Sequence, residues 1–195
     1  MYRAIALAFL RSGMEPTPDN ARKLLAHMRL DVVHEDGGMR VLLDGEDVSD
    51  LIRTPEVSAM ASRVSALEPV RRKMVTAQRR IAREFVAKGG GVVVEGRDIG
   101  TVVFPDAEVK VFMVADPLER ARRRQAELKA RGRTVAQGRV LAELEQRDRQ
   151  DAERALAPLR KAEDAIELDT TNLTPDEQVA FIFKKVRERI QASKV

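Results

Sequence analysis

Residues 92–124 read VVVEGRDIGTVVFPDAEVKVFMVADPLERARRR. Two apolar, β-branched runs stand in this stretch, 92–94 and 109–114, and a glycine-spaced polar loop follows the first. Runs this apolar predict strands covered on both faces, while Asp116-Pro117, a carboxylate ahead of a proline at the first helical position, predicts a helix start. A third apolar run lies at 165–168, beyond a helical pattern from Val135 to about Glu153, and Thr174-Pro175 opens a last helix to about Ile190 on Val179, Phe183 and Val186. Buried strands alternating with helices predict an α/β fold built on a parallel sheet.

Upstream the pattern changes. Thr17-Pro18 and Asn20 precede a predicted helix over 21–30, carried by Leu24, Leu25, Met28 and Leu30. Short β-like runs at 31–33 and 39–43 flank Asp36-Gly37-Gly38, a hairpin signal, and Asp44-Gly45 marks a second turn. Together they predict a small antiparallel flap. Thr54-Pro55 opens a helix to about Ala66, and a longer one runs over 68–88 on Val70, Met74, Ala77, Ile81 and Phe85, stopped by Gly89-Gly90-Gly91. Residues 1–7 read as helix without any cap, as though an earlier part had been cut away.

Composition narrows the function classes. With 195 residues, 44% hydrophobic and 34% charged, the chain can bury one good core, and no apolar run approaches the ~20 residues of a membrane span. The absence of cysteine excludes disulfides and thiolate metal sites, and His27 and His34 are too few for a histidine cage. Neither has a carboxylate or histidine at helix-face spacing, so both read as packing or surface residues. A cytoplasmic location is expected. Thirty-five Lys and Arg against thirty-one Asp and Glu leave a modest +4, and 4% aromatics provide no base-stacking platform, so small phosphorylated ligands are expected rather than a nucleic acid.

Three constellations carry possible chemistry. Glu95-Gly96-Arg97-Asp98-Ile99-Gly100-Thr101 follows a strand directly, where open α/β sheets bind ligands, although a strand-to-loop turn with a surface ion pair has the same residues. Arg147, Asp151 and Arg154 fall on one helix face, two guanidiniums flanking a carboxylate, which suits sugar hydroxyls and phosphate or an ordinary solvated face with i,i+4 pairs. Arg120, Arg122, Arg123 and Arg124, followed by Arg131 and Arg133, repel one another unless an anion or several carboxylates offset them. Ser62 and Arg71 sit near a helix boundary and by themselves read as surface polar residues.

The chain resembles the cytidylate kinase family within the P-loop nucleoside monophosphate kinases. The resemblance rests on residues 42–74, LLDGEDVSDLIRTPEVSAMASRVSALEPVRRKM, on 92–124, and on 141–171, LAELEQRDRQDAERALAPLRKAEDAIELDTT, and extends over essentially the whole chain. It implies a single domain over 1–195, with flanking helices on the parallel sheet, a monophosphate-binding region with its β insert over about 31–88 and a short helical lid over about 120–150. The activity implied is transfer of a phosphoryl group from ATP, with Mg²⁺, to CMP or dCMP. Expected partners are those small nucleotides, with neither nucleic acid nor membrane, and a monomer is expected.

Residue by residue, the resemblance implies that Arg3 and Arg97 contact the CMP phosphate. Ser62, Arg71 and Asp98 read the cytosine with Arg154 close by, and Arg147 and Asp151 hold the ribose and the transferring phosphate. Arg120, Arg123, Arg124 and Arg131 are implied as the lid over ATP. Glu95 stands where the family has aspartate and is implied as a water-bridged Mg²⁺ ligand. Family members begin with a strand and a G-x-x-x-x-G-K-[ST] loop, whereas this sequence starts at Met1-Tyr2-Arg3, so a chain shortened by the P-loop strand is expected. The competing readings are another nucleoside monophosphate kinase, acting on UMP/CMP or AMP, a CMP-binding fragment with impaired catalysis, and a basic nucleic-acid-associated protein.

Overall fold

The computed structural model describes residues 1–35 and 38–192, apart from the side chains of His34 and Glu35. Two compact units divide the chain, Met1–Val94 and Glu95–Val195.

In the first unit, α1 (Tyr2–Ser12) ends where Gly13 takes a left-handed φ of 65°, a conformation that glycine adopts without steric cost. Helix α2 (Pro18–His27) starts earlier than its apolar pattern predicts, because the Thr17 hydroxyl accepts from the Asn20 amide at 3.3 Å and Pro18 occupies the first turn. It also ends sooner. Leu30, expected on the helix, opens β1 (Leu30–Glu35), which pairs antiparallel with β2 (Gly38–Leu43), and β3 (Glu46–Asp47) continues the sheet. The expected flap is therefore present, although Asp36 and Gly37 of its hairpin signal lie outside the described residues. At the second turn Asp44 and Gly45 both have positive φ, 52° and 89°, the twist that a tight two-residue hairpin requires.

A 3₁₀ turn, Leu51–Arg53, leads to α3 (Pro55–Ser65), capped by Thr54, and then α4 (Glu68–Ala87), closed at Gly89. Both helices match the sequence reading. The apolar faces of α1, α3 and α4 form one core in which Ile5, Phe9, Val57, Val64, Val70 and Met74 are fully buried. His27 is exposed at the end of α2, and the side chain of His34 lies outside the described residues.

The strand expected at 92–94 does not form. Val93 is 98% exposed, and no described strand pairs with this run. Apolar, β-branched residues supply a propensity, but a strand exists only when a neighbour accepts its ladder hydrogen bonds.

In the second unit, a π-helical turn, Ile99–Val103, precedes β4 (Val111–Val114), which pairs in parallel with β5 (Ile166–Asp169) in the register Val111↔Ile166 to Val114↔Asp169. Helices α5 (Pro117–Ala130) and α6 (Gln137–Glu153) connect the two strands, and α7 (Pro175–Ala192) follows. The α/β class and its parallel pairing are as expected, with two paired strands instead of three. Nor are both faces covered: Met113 is half exposed. Ala121, Leu128 and Val140 join α5 to α6 in a small second core. No residue of α7 is fully buried, and Phe183, on its predicted apolar stripe, lies 4.5 Å beneath the Arg187 guanidinium. The period marked a face for burial without naming what covers it.

The arginine-rich start of α5 is neutralised within its own unit. Arg120 makes a two-pronged pair with Asp148 at 2.5 and 3.1 Å, Arg122 and Arg123 share Glu119, and Arg124 reaches Glu127 at 2.8 Å. Hydrogen bonds from Arg122 foremost, with Arg123 adding, hold the Glu119 carboxyl at about 2, below the ordinary 4.5.

Two measurements test this account. Phe9→Ala should lower unfolding stability by about 3–5 kcal/mol in urea titration, and a loss below about 1 kcal/mol would show that Phe9 does not anchor the first core. Because the folded pKa of Glu119 is depressed, its contribution is complete above pH 4.5 and is lost as pH falls towards about 2. Carboxyl NMR should show Glu119 still ionised near pH 3, and a midpoint near 4.5 contradicts the pairing.

Candidate active site

The loop after residue 94 starts with Glu95, whose side chain is exposed. Gly96 packs tightly: a Cβ there would lie 2.8 Å from Ile99 Cγ1, so any side chain must displace Ile99. Asp98 then turns inward, 6% exposed, and its carbonyl accepts from the amides of Val102 and Val103 at 2.9 and 3.2 Å. The π-helical turn is thereby hung from Asp98, and the carboxylate is held below the surface.

Two arginines and two aspartates form a chain of opposite charges here. Arg97 Nε donates to Asp151 Oδ2 at 2.7 Å, Asp151 Oδ1 lies 3.6 Å from Arg154 Nη1, and Arg154 Nη2 lies 3.9 Å from Asp98 Oδ1. The side chains of Asp98, Asp151 and Arg154 are 7, 14 and 11% exposed, whereas that of Arg97 is 40% exposed. Charges this poorly solvated persist because each has an opposite charge beside it.

Arg154 does not continue the helix face that its spacing from Arg147 and Asp151 predicts. It ends α6 in an extended conformation, φ −60° and ψ 137°. The chain then doubles back, with Arg154 Nε donating to the Ala157 carbonyl at 2.5 Å and the Leu159 amide donating to the Asp151 carbonyl at 2.7 Å. Ala157 takes a positive φ of 48° in this return. Arg154 thus approaches Asp98 from the extended end of α6, braced by the returning segment, a placement that helix periodicity could not supply.

Arg147, one turn before Asp151, is more open to solvent along its length. Desolvation of its guanidinium, then repulsion from Arg97, lowers its pKa, while Asp151 and Asp148 oppose the shift. Arg97 and Arg147 repel one another, a repulsion that a bound anion would relieve.

In the first unit, Arg71 is 6% exposed in the first turn of α4, and its Nη1 donates to the Ser65 carbonyl at 3.3 Å. It is not the surface residue that its sequence position suggests. Ser62 is exposed on α3, and Arg3, near the start of α1, donates to the Ile52 carbonyl at 3.1 Å. Of the arginines expected over ATP, Arg120, Arg123 and Arg124 are paired as described above, and Arg131 is exposed at the C-terminal cap of α5. Asp148, the partner of Arg120, is the site-region residue that sequence reasoning missed, and its position one residue after Arg147 in an Arg-Asp-Arg run was the available signal.

Comparison with known proteins gives this charge chain a context. A family model described as cytidylate kinase matches residues 1–188. A cytidylate kinase of Salinibacter ruber is 50% identical over 187 residues, covering 96% of this chain and 82% of the relative. One from Syntrophotalea carbinolica is 48% identical over 192 residues, covering 98% and 80%, and one from Geobacter sulfurreducens is 46% identical over 194 residues, covering 99% and 81%. Matches of that identity and extent include every residue of the charge chain and of the arginine-rich helix, and the chain belongs to the cytidylate kinase family.

Proposed function

We propose that this chain catalyses transfer of the γ-phosphoryl group of ATP to the phosphate of CMP or dCMP, giving ADP and CDP or dCDP. The observation that carries the reading is the nearly buried Asp98 carboxylate, joined through Arg154 and Asp151 to Arg97, in a chain that belongs to the cytidylate kinase family. A carboxylate held in place by arginine accepts from the 4-amino group of cytosine, whereas the same carboxylate would face the O4 lone pairs of uracil. Asp98 is therefore assigned to reading the base, with Arg154 holding it in the orientation that does so, and the family resemblance assigns Ser62 and Arg71 to the same task.

The remaining roles are those the family resemblance implies, and the arginines among them suit phosphate by charge. Arg3 and Arg97 are assigned to the acceptor phosphate, and Arg147 and Asp151 to the ribose and the transferring group. The acceptor oxygen is already anionic, so a strong general base is unnecessary. An in-line oxygen–phosphorus bond forms as the bond to ADP breaks, and the demand on the protein is to offset repulsion between two anions and align them. The arginines of α5 and its C-terminal end, Arg120, Arg123, Arg124 and Arg131, serve the ATP side. This assignment makes about residues 31–88 the monophosphate-binding part and about 120–150 the lid of a nucleoside monophosphate kinase fold.

Mg²⁺ fits this arrangement as an ion that arrives with ATP. Among the described residues no three of His, Asp and Glu gather as a metal cage, and an ion held mainly by phosphate oxygens needs only one or two carboxylates, sometimes through water. Glu95, exposed at the head of the Asp98 loop, is the side chain we assign to that contact. Once bound, the ion neutralises charge that builds on the phosphates.

A coupled ADP-release assay with CMP, dCMP, UMP and AMP tests the function. CMP and dCMP should support turnover well above UMP and AMP, and calorimetric binding of CMP without ADP release would instead identify a nucleotide-binding module. Asp98→Ala should cut kcat/KM for CMP by about one to two powers of ten and narrow its lead over UMP. An unchanged CMP-to-UMP ratio in that variant would falsify the assignment of Asp98.

A further inference from the structure

Arg123 is held unlike its neighbours on α5. Its Nε donates to Glu119 Oε1 at 2.8 Å, but the rest of its guanidinium turns to backbone: Nη2 donates to the carbonyls of Thr170 at 2.6 Å and Thr171 at 3.1 Å, and Nη1 lies 3.4 Å from Thr170 Oγ1. A guanidinium presents five N–H donors in a fixed plane, and these contacts engage most of them. The geometry is that of a clamp rather than of a finger waiting for phosphate.

What it clamps is the segment that leaves β5. Thr170 is buried, and its amide and hydroxyl both donate to the Val114 carbonyl at the end of β4, at 2.8 and 3.0 Å. Thr171 Oγ1 donates to Asp169 Oδ1 at 2.6 Å and accepts from the Asp116 amide at 2.9 Å, and Asp116 in turn caps α5 through the amides of Leu118 and Glu119. The ends of both parallel strands, the start of α5 and the start of the β5–α7 connection are thus tied into one closed circuit, and Arg123 is its only side-chain cation among the described residues. Thr171, Asn172 and Leu173 from this connection, with Arg122, Gln178 and Arg123 itself, line an open cleft within the second unit. Clefts beyond the carboxyl ends of parallel strands are where such sheets bind ligands.

We propose that Arg123 is a positioning residue for the phosphoryl donor: it fixes the segment after β5 against α5 and so holds the wall of the donor cleft, without itself binding phosphate. This rests on the reading that α5 serves the ATP side. Lysine keeps the charge but has no planar fork, so it cannot hold Glu119 and both carbonyls together. Glu119 also holds Arg122, which lines the same cleft, so the pair is tested from the arginine side. A clamp that is lost frees residues 170–173 with or without ATP, whereas a lost phosphate ligand leaves their exchange unchanged in the ATP-free protein.

The experiment compares wild type and Arg123→Lys in the full chain, with ATP and CMP varied separately and amide hydrogen exchange followed over residues 170–173 without ATP. Arg123→Lys should raise KM for ATP about tenfold while KM for CMP and kcat stay within about twofold, as expected for loss of charge-assisted bonds on the donor side alone. Exchange at 170–173 should quicken in the variant. An unchanged KM for ATP, or a raised one with exchange at 170–173 unchanged, overturns the proposal. If wild type shows no phosphoryl transfer, the kinase reading itself fails; the clamp is then decided by exchange alone, quickened in Arg123→Lys if it exists and unchanged if it does not.

Discussion

Guanidinium–carboxylate pairing is the interaction on which the second unit depends. Helix α5 places four arginines within five residues, and α6 adds Arg147 one turn from Asp151, a density of positive charge that would push the two helices apart. Glu119 takes up Arg122 and Arg123, Glu127 takes Arg124 and Asp148 takes Arg120, while Asp151 holds Arg97. The Arg120–Asp148 fork joins α5 to α6 beside an apolar contact built on Ala121, Leu128 and Val140 with Val135, Leu141 and Leu144. Exposed pairs contribute little singly, but the Arg120–Asp148 fork and the Asp98–Arg154–Asp151 chain are partly or mostly withdrawn from water, where geometry matters more.

The same pairs prepare the chemistry. A kinase acting on a phosphate acceptor has little covalent work to do and much charge to manage. Arg97 and Arg154 are held by aspartates without substrate, and Arg147 stands close enough to Arg97 to be repelled by it, a repulsion that a bound anion would relieve. In the base-reading role proposed for Asp98, Arg154 beside it and the hydrogen-bonded turn behind it would leave its carboxylate little freedom to adapt to a base with the opposite hydrogen-bonding pattern.

The first unit is organised differently. Its core is apolar and continuous, with Phe9 and Ile5 of α1 packed among Val57, Val64, Val70 and Met74. Polar residues act there mainly at boundaries, where Thr17 and Thr54 cap helices and Asp44-Gly45 sets the hairpin turn. Arg71 is the exception, a buried arginine facing a helix-end carbonyl, and it is one of the residues assigned to the nucleotide base.

Local chemistry was legible in the amino-acid order: the Thr-Pro and Asp-Pro helix starts, the Asp-Gly turn, the apolar faces of α3 and α4, and the residue types of the Gly-Arg-Asp loop all act over a few positions and are visible in them. Resemblance in the quoted stretches extended that to the family. Partner choice was settled only in three dimensions. Among the described residues, 92–94 have the composition of a strand but no ladder neighbour, α7 has an apolar stripe that is only partly covered, and Arg123 was indistinguishable from the other arginines of its run until Thr170 and Thr171 lay against it. Periodicity and capping depend on atoms within one turn or one hairpin, whereas ladder pairing, burial and the destination of a long guanidinium depend on segments some 50 residues away, which no local pattern encodes.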